Sequence, residues 1–374
     1  MRNMTSPIYR TIEKTVIPLL PLFSRNRPVL IALFITDLCN LHCVHCFSSS
    51  ENKSPLKQEL TIDEIEKISL NLPLFPWLLI TGGEPFMRED VSEITRIFLL
   101  NNRVTNITIP TNGMFPDKIV NWIRETEKFR LTTQYNLNFS IHGLSEMHDL
   151  ITGIKGSFKR LMKTVSLIQS DVDKRSDLRI VFNVTLMQKN QDHLESALIF
   201  LKSKFPTSRI NLGVVRGKPR DPEQKLIAPE KYLLAARYIV KHPYHDLKSS
   251  WLNRFFSMRD RMVLKRIYQT LKKTVSYRPC LAGRLSLVIN ESGDVFACEL
   301  LDQTLGNLRD YQYQFQKLWH SQARYEILKK IKEARCSCPH ECNQIVNNVY
   351  NPNLLLRHTL YSLFRDPGRK RFWA

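Results

Sequence analysis

Three cysteines in the run Cys39-Asn40-Leu41-His42-Cys43-Val44-His45-Cys46 constrain this chain more than any other feature. Their C-x3-C-x2-C spacing follows an apolar strand-like run, Val29-Leu30-Ile31-Ala32-Leu33-Phe34-Ile35, so one short loop must gather three thiols at the end of a buried strand. Thiolates placed this way can hold three irons of a [4Fe–4S] cluster and leave the fourth iron open to a small molecule. A structural zinc site is the competing use of such a loop. It wants a fourth Cys or His nearby, which His42 or His45 would supply.

The remaining cysteines also fall together, at Cys280, Cys298, Cys336, Cys338 and Cys342. Clustered thiols with no secretion signal read as metal ligands in a reducing compartment rather than as a disulfide framework. The apolar run Val16-Ile17-Pro18-Leu19-Leu20-Pro21-Leu22-Phe23 is too short to span a bilayer, and Ser24-Arg25-Asn26-Arg27 follows it instead of a small-residue cleavage site. A cytoplasmic protein is expected. Peripheral contact with the inner face of the membrane is a further expectation, from this run and from a tail that mixes Leu360, Tyr361, Leu363, Phe364, Phe372 and Trp373 with Arg357, Arg365, Arg369, Lys370 and Arg371. The alternative is that both ends pack on the rest of the protein.

A length of 374 residues fits two domains, and 43% hydrophobic content supports real cores. Lys and Arg number 55 against 35 Asp and Glu, a net charge of +20 that implies an anionic partner.

From Pro28 onward, apolar runs alternate with amphipathic segments. Leu78–Thr81, Ile107–Pro110, Leu137–Ser140, Ile180–Val184 and Ile210–Val214 look like buried parallel strands, and Thr61-Ile62-Asp63-Glu64 opens a helix with a capping pattern. This alternation predicts an α/β fold with a parallel sheet. Past Arg216 the pattern changes to a linker and then one long helical stretch from Glu230 to about Lys273. Its stripe of Phe255, Phe256, Met258, Met262, Val263, Ile267 and Leu271 suits a core-facing surface, or a basic helix lying on a membrane.

Two further groups of residues follow the strand order. Thr81-Gly82-Gly83-Glu84-Pro85 comes directly after the second strand, where paired glycines let backbone approach a ligand and a carboxylate can accept from an ammonium group. Thr111-Asn112-Gly113 ends the third strand, Ser140-Ile141-His142-Gly143 the fourth, and Asp149 and Gly153-Ile154-Lys155-Gly156-Ser157-Phe158 lie beyond it. With the cysteine loop, these resemble the radical S-adenosylmethionine (SAM) superfamily, although His142 stands where Asp is commoner and His45 where Tyr or Phe is.

The resemblance implies a partial (β/α)6 TIM-type barrel over 29–225, preceded by an extension (1–28). It makes Cys39, Cys43 and Cys46 the ligands of a catalytic [4Fe–4S] cluster. It places Gly82, Gly83, Glu84, Pro85, Ser140, Asn183 and His45 around SAM. Reductive cleavage of SAM would then give a 5′-deoxyadenosyl radical that removes a hydrogen atom from substrate.

Cys280, Gly293-Asp294-Val295-Phe296-Ala297-Cys298, Gly306-Asn307-Leu308 and Trp319 are similar to the twitch and SPASM modules of the same superfamily. That likeness implies a small α+β domain over 279–345 after a helical linker (226–278), with a basic aromatic tail over 346–374. Five thiols suffice for one auxiliary [4Fe–4S] cluster. Cys280, Cys298, Cys338 and Cys342 are favoured as its ligands, with Cys336 able to replace Cys338; a zinc-stabilised hairpin is the alternative. The cluster would accept the substrate electron or bind substrate.

Arg216-Gly217-Lys218-Pro219-Arg220, after the sixth strand, offers three cations to an anion or forms a solvated loop. The expected partners are an external flavodoxin- or ferredoxin-like electron donor and an anionic substrate, either a ribosomally made peptide or a phosphorylated or lipid-linked sugar. A non-catalytic iron–sulfur or zinc protein binding nucleic acid is the rival class. It leaves the Gly-Gly-Glu-Pro and Ser140 matches unexplained, so no nucleic-acid partner is expected.

Overall fold

The computed structural model describes residues 27–47, 58–129, 133–244, 251–351, 353, 354 and 356; the apolar run at 16–23 and the aromatic tail at 360–373 lie outside them. Six strands, β1 (Leu30–Thr36), β2 (Trp77–Gly82), β3 (Asn106–Thr111), β4 (Gln134–Ser140), β5 (Leu178–Leu186) and β6 (Arg209–Val214), pair in parallel in sequence order. Helices α1 (Ile62–Asn71), α2 (Val91–Asn102), α3 (Pro116–Lys128), α4 (Ser145–Thr152), α5 (Ser157–Lys174) and α6 (Leu194–Lys204) form the crossovers. The alternation read from the apolar runs is therefore the architecture.

Strand composition sorts the two faces. β1 is buried at every position, as a parallel strand covered on both sides should be. On β3, β4 and β5, Ile107, Ile109, Tyr135, Leu137, Phe139, Ile180 and Phe182 pack into the main core. Residues one step out of phase, Asn106, Thr108, Asn136, Asn138 and Asn183, line an internal cavity instead. The barrel interior is thus a wall of amides. Asn136 Nδ2 donates to Asn106 Oδ1 at 3.1 Å, and Asn138 and Asn211 both donate to Asn183 Oδ1, at 3.2 and 2.9 Å.

After β6 come α7 (Pro229–Lys241) and α8 (Trp251–Leu271), two helices where the sequence pattern predicted one. His242-Pro243 ends the first, because proline lacks an N–H and disfavours helical backbone in the residue before it. Met258, Val263 and Ile267 of α8 are buried, so this part of its apolar stripe faces protein, while Phe256 is exposed. No helix among the described residues is long and apolar enough to cross a membrane.

The C-terminal strands extend the same sheet. β7 (Ser286–Ile289) pairs in parallel with β1, and β8 (Asp294–Phe296) and β9 (Thr304–Asn307) follow antiparallel. The sheet order is β6-β5-β4-β3-β2-β1-β7-β8-β9. Helices α9 (Phe315–Trp319), α10 (Gln322–Glu333) and α11 (Glu341–Val349) complete this part, and α11 packs against α8.

The capping pattern at Thr61 forms as expected: Thr61 Oγ1 accepts from Glu64 N, and Glu64 Oε2 accepts from Thr61 N. Glu64 also ties α1 to the segment after β9, accepting from Arg309 Nε at 2.6 Å and Tyr313 OH at 2.8 Å. The Arg309 hydrogen bond leads in holding its carboxyl at about 2. A depressed carboxyl contributes stability that is complete above the ordinary Glu range and is lost as pH falls from about 4.5 towards 2. Glu64→Gln should cost about 1 kcal/mol at pH 7 after solvent screening, and close to nothing at pH 2, as read from denaturant melts.

Candidate active site

The cysteine loop leaves β1 and is held by hydrogen bonds from four directions. From the β2 end, Gly83 N donates to Thr36 O (2.9 Å) and Glu84 N to Leu38 O (2.8 Å). Asn112, after β3, donates through Nδ2 to Asn40 Oδ1 at 2.7 Å. His42 N and Val44 N donate to Thr152 O and Ile151 O of α4, both at 3.0 Å. After β6, Arg220 N and Asp221 N reach Cys46 O and Val44 O at 2.9 Å, and Arg220 Nη1 reaches Cys43 O at 3.1 Å.

The paired glycines make the β2 contact possible. A Cβ on Gly82 would lie 2.2 Å from Thr36 O, and one on Gly83 2.1 Å from Leu38 O. Gly82 also sits at a φ of +149°, which a side chain rarely permits.

No thiol is needed for this scaffold, and all three cysteines are free. Burial, reinforced by the fields of Cys46 and Cys39, pushes the Cys43 thiol up to about 12. Burial raises Cys39 too, with the Glu84 carboxylate and Cys46 adding to it. Three thiolates within each other's fields are stable together only around cationic charge, which iron supplies. Among the described residues no group of three His, Cys, Asp or Glu side chains forms a ready single-metal site.

The surroundings fit a ligand at that cluster. His45 packs edge-on to His142 with ring centroids 4.3 Å apart, and His142 stacks on His148 at 5.9 Å. Burial pushes His45 down to about 4 and His142 lower than its ordinary value, so both are neutral at neutral pH. Their Nδ1 atoms and Asn138 Oδ1 are buried without a hydrogen-bond partner, and all three residues line the cavity. Such atoms are costly unless a bound molecule satisfies them.

Ser140 and Asn183 sit opposite each other across β4 and β5, on the cavity wall. Pro85 opens a short turn over 85–87 behind the site. Glu84 is 1% exposed and accepts from Thr111 Oγ1 (2.8 Å), Asn112 N (2.7 Å) and Phe86 N (3.2 Å). Burial outweighs those bonds and lifts its carboxyl to about 7. Its first structural task is to lock the β2 and β3 loops together. Asp149, from the glycine-rich string, caps α5 through Ser157 Oγ and Phe158 N at 2.9 and 2.8 Å.

The three cations after β6 are all engaged within the protein. Arg216 donates to Glu299 (2.6 Å) and Glu341 (3.0 Å), Lys218 pairs with Asp302 (2.7 Å), and Arg220 holds the cysteine loop. The cations that face the cavity elsewhere are ones the sequence reading missed. Arg209 and Arg259 both donate to Asp260, at 3.0 and 2.7 Å, with Arg179 nearby on the wall. Arg179 and Arg209 begin β5 and β6, so this group lies at the end of the barrel opposite the cysteine loop.

A single cavity of about 920 Å³ reaches from Cys39, Cys43 and Cys46, past the amides, to these arginines and to Glu341 and Cys342 on α11. Of the C-terminal thiols, Cys342 lines it. Burial raises Cys298 above the ordinary thiol range and lifts Cys338 to about 12, with Cys280 adding to both and Cys336 to Cys338. Burial likewise lifts Cys342 to about 12, aided by Glu341 and Glu299, and a small void beside the cavity joins it to Cys298.

The radical SAM superfamily model matches residues 33–201, and the model of an iron–sulfur cluster-binding domain, SPASM, matches 280–344. The chain belongs to the radical SAM enzymes and carries a SPASM domain. It therefore uses a [4Fe–4S] cluster and SAM, with auxiliary iron–sulfur binding in the C-terminal part. Over 84% of its length it is 26% identical to an AdoMet-dependent heme synthase of Methanosarcina barkeri, of which 88% is covered. Over 90% it is 23% identical to the mycofactocin maturase MftC of Mycobacterium tuberculosis, of which 81% is covered. Among solved structures, native anSMEcpe with bound AdoMet shares the fold at a TM-score of 0.56, with 16% identity, over 90% of this chain and 97% of that one.

Proposed function

We propose that this enzyme removes a hydrogen atom from a large anionic substrate held in the amide-lined barrel between the cysteine loop and the C-terminal thiols. The chemistry supplied there, once cluster and SAM are bound, is reductive cleavage to a 5′-deoxyadenosyl radical. Cys39, Cys43 and Cys46 are the ligands of that cluster. Gly82, Gly83, Glu84 and Pro85 shape the wall for the amino-acid end of SAM, and His45, Ser140 and Asn183 offer polar contacts to the rest. The barrel and α8 keep bulk water from the reacting atoms, which a radical reaction needs.

The carrying observation is the single cavity shared by the cysteine loop, the amide rows and α11. Its far end supports the anionic reading: Arg209 and Arg259 share the carboxylate of Asp260 and Arg179 lines the same wall, so cations outnumber carboxylates there. Along β5, Arg179 lies four residues from Asn183, roughly 13 Å in an extended strand. An acidic group about that far from the reacting carbon would bridge the two ends.

An acidic peptide is favoured by relatives named as maturases, MftC and the sporulation killing factor maturation protein of Bacillus subtilis. A heme-type substrate is the second reading, favoured by the match to the heme synthase along most of the chain. A phosphorylated or lipid-linked sugar would suit the same arginines through its phosphate, while the chain ends that would meet a lipid lie outside the described residues. A flavodoxin- or ferredoxin-like donor supplies the electron in this reading, and a cytoplasmic setting keeps the clusters reduced.

Glu84→Ala should weaken SAM binding about 10- to 100-fold in equilibrium dialysis, since an acceptor worth ~1.5–3 kcal/mol disappears and the two loops separate. Unchanged affinity would remove Glu84 from the SAM site. Acidic peptides should stimulate 5′-deoxyadenosine release above the rate without substrate. Stimulation by iron porphyrin carboxylates alone would favour the second reading.

A further inference from the structure

Two side-chain amides one turn apart on α11 face two different thiols. Asn343 Nδ2 lies 3.3 Å from Cys298 Sγ, and Asn347 Nδ2 lies 3.9 Å from Cys280 Sγ. Both amides are oriented from behind. Ser286 Oγ donates to Asn343 Oδ1 at 3.0 Å, and Leu281 N donates to Asn347 Oδ1 at 2.8 Å. Each carbonyl is thereby occupied and each NH2 is turned towards sulfur. Asn343 is only 4% exposed, so no solvent competes for its donors.

Asn343 is braced further. Its Nδ2 also lies 3.0 Å from His340 Nδ1, and His340 Nε2 lies 3.0 Å from Glu299 Oε1, which accepts from Arg216. Arg216 in turn lies over the ring of Phe47, next to Cys46, at 5.3 Å. The donor set of Asn343 is consistent only if one amide hydrogen goes to His340 and the other to Cys298. Neither asparagine is an iron ligand, and the catalytic reading has no use for them.

We propose that Asn343 and Asn347 are positioning residues that set the reduction potential of the auxiliary cluster, by donating hydrogen bonds to the ligand sulfurs of Cys298 and Cys280. This rests on those two thiols being auxiliary ligands. Reduction adds negative charge that is shared with the cysteine sulfurs, so an N–H aimed at sulfur stabilises the reduced state more than the oxidised one. Burial enlarges the difference, because little solvent screens it. The shorter contact at Asn343 gives it the larger share.

The test uses a Cys39→Ala, Cys43→Ala, Cys46→Ala background, so that only the auxiliary cluster is titrated by EPR at controlled potentials. At the midpoint of that background protein, Asn343→Leu should lower the ratio of reduced to oxidised cluster about tenfold, a 59 mV fall for a one-electron couple. Asn347→Leu should lower it about twofold. In the enzyme with both clusters, the catalytic-cluster signal should titrate where it does without the substitution.

Unchanged midpoints in iron-loaded variants would overturn the proposal while leaving the auxiliary cluster in place. If Asn343→Leu fails to hold iron, Asn347→Leu decides by the same measurement. A background protein that takes up no iron would overturn the auxiliary-ligand assignment itself, and the proposal with it.

Discussion

The Cys39→Ala, Cys43→Ala, Cys46→Ala variant should release no 5′-deoxyadenosine from SAM and still keep about half of the wild-type iron, roughly four of about eight atoms. The loop that carries these thiols is pinned by backbone donors from Gly83, Glu84, His42, Val44, Arg220 and Asp221, none of which involves sulfur. Replacing the thiols therefore removes the ligands and leaves the loop. Of the five C-terminal cysteines, Cys280 precedes β7, Cys298 follows β8, Cys336 and Cys338 lie between α10 and α11, and Cys342 is on α11, with supports of their own. Iron content and 5′-deoxyadenosine are measured on the same preparation. Loss of all iron would overturn the assignment of the C-terminal thiols as ligands of a second cluster.

Arg216→Met should destabilise the fold by about 3 kcal/mol in denaturant melts. Arg216 donates to Glu299 and Glu341 at 2.6 and 3.0 Å, and those carboxylates are 7% and 22% exposed. Attraction to Arg216 and His340 overcomes burial and holds the Glu299 carboxyl below its ordinary value. Without the guanidinium, two carboxylates share one confined space with only His340 opposite Glu299. The partial exposure of Arg216, 22%, places the effect at the lower end of the range for a broken buried pair. Adding Glu299→Gln and Glu341→Gln to Arg216→Met should recover most of the loss, because the stranded charges go with the carboxylates. A triple variant no more stable than Arg216→Met would assign the loss to packing over Phe47 instead.

The parts that were legible in the sequence are those with local causes. The cysteine spacing, the glycines that admit a backbone contact, the capping pair Thr61 and Glu64, and the apolar runs of β1 to β6 each carry their reason within a few residues. Long-range pairings left no such trace. Arg216 read as an open cation because its partners stand 83 and 125 residues further along the chain. The parallel pairing of β7 with β1 joins segments more than 250 residues apart, and nothing local in the sequence announces it.

Three signals were present but went unused. Asn136, Asn138 and Ser140 alternate with Tyr135, Leu137 and Phe139, which marks one polar face on a strand inside a barrel. Asn343 and Asn347 share a helical face at four-residue spacing beside the last cysteine. His242-Pro243 was also visible as a helix stop, and the regular stripe beyond it obscured the break.

The most direct measurement is the fate of SAM in anaerobically reconstituted wild-type enzyme reduced with dithionite. Release of 5′-deoxyadenosine and methionine in equal amounts, abolished in the triple-cysteine variant, is the predicted result. SAM recovered intact from a reduced, iron-loaded wild type would contradict hydrogen abstraction by this enzyme.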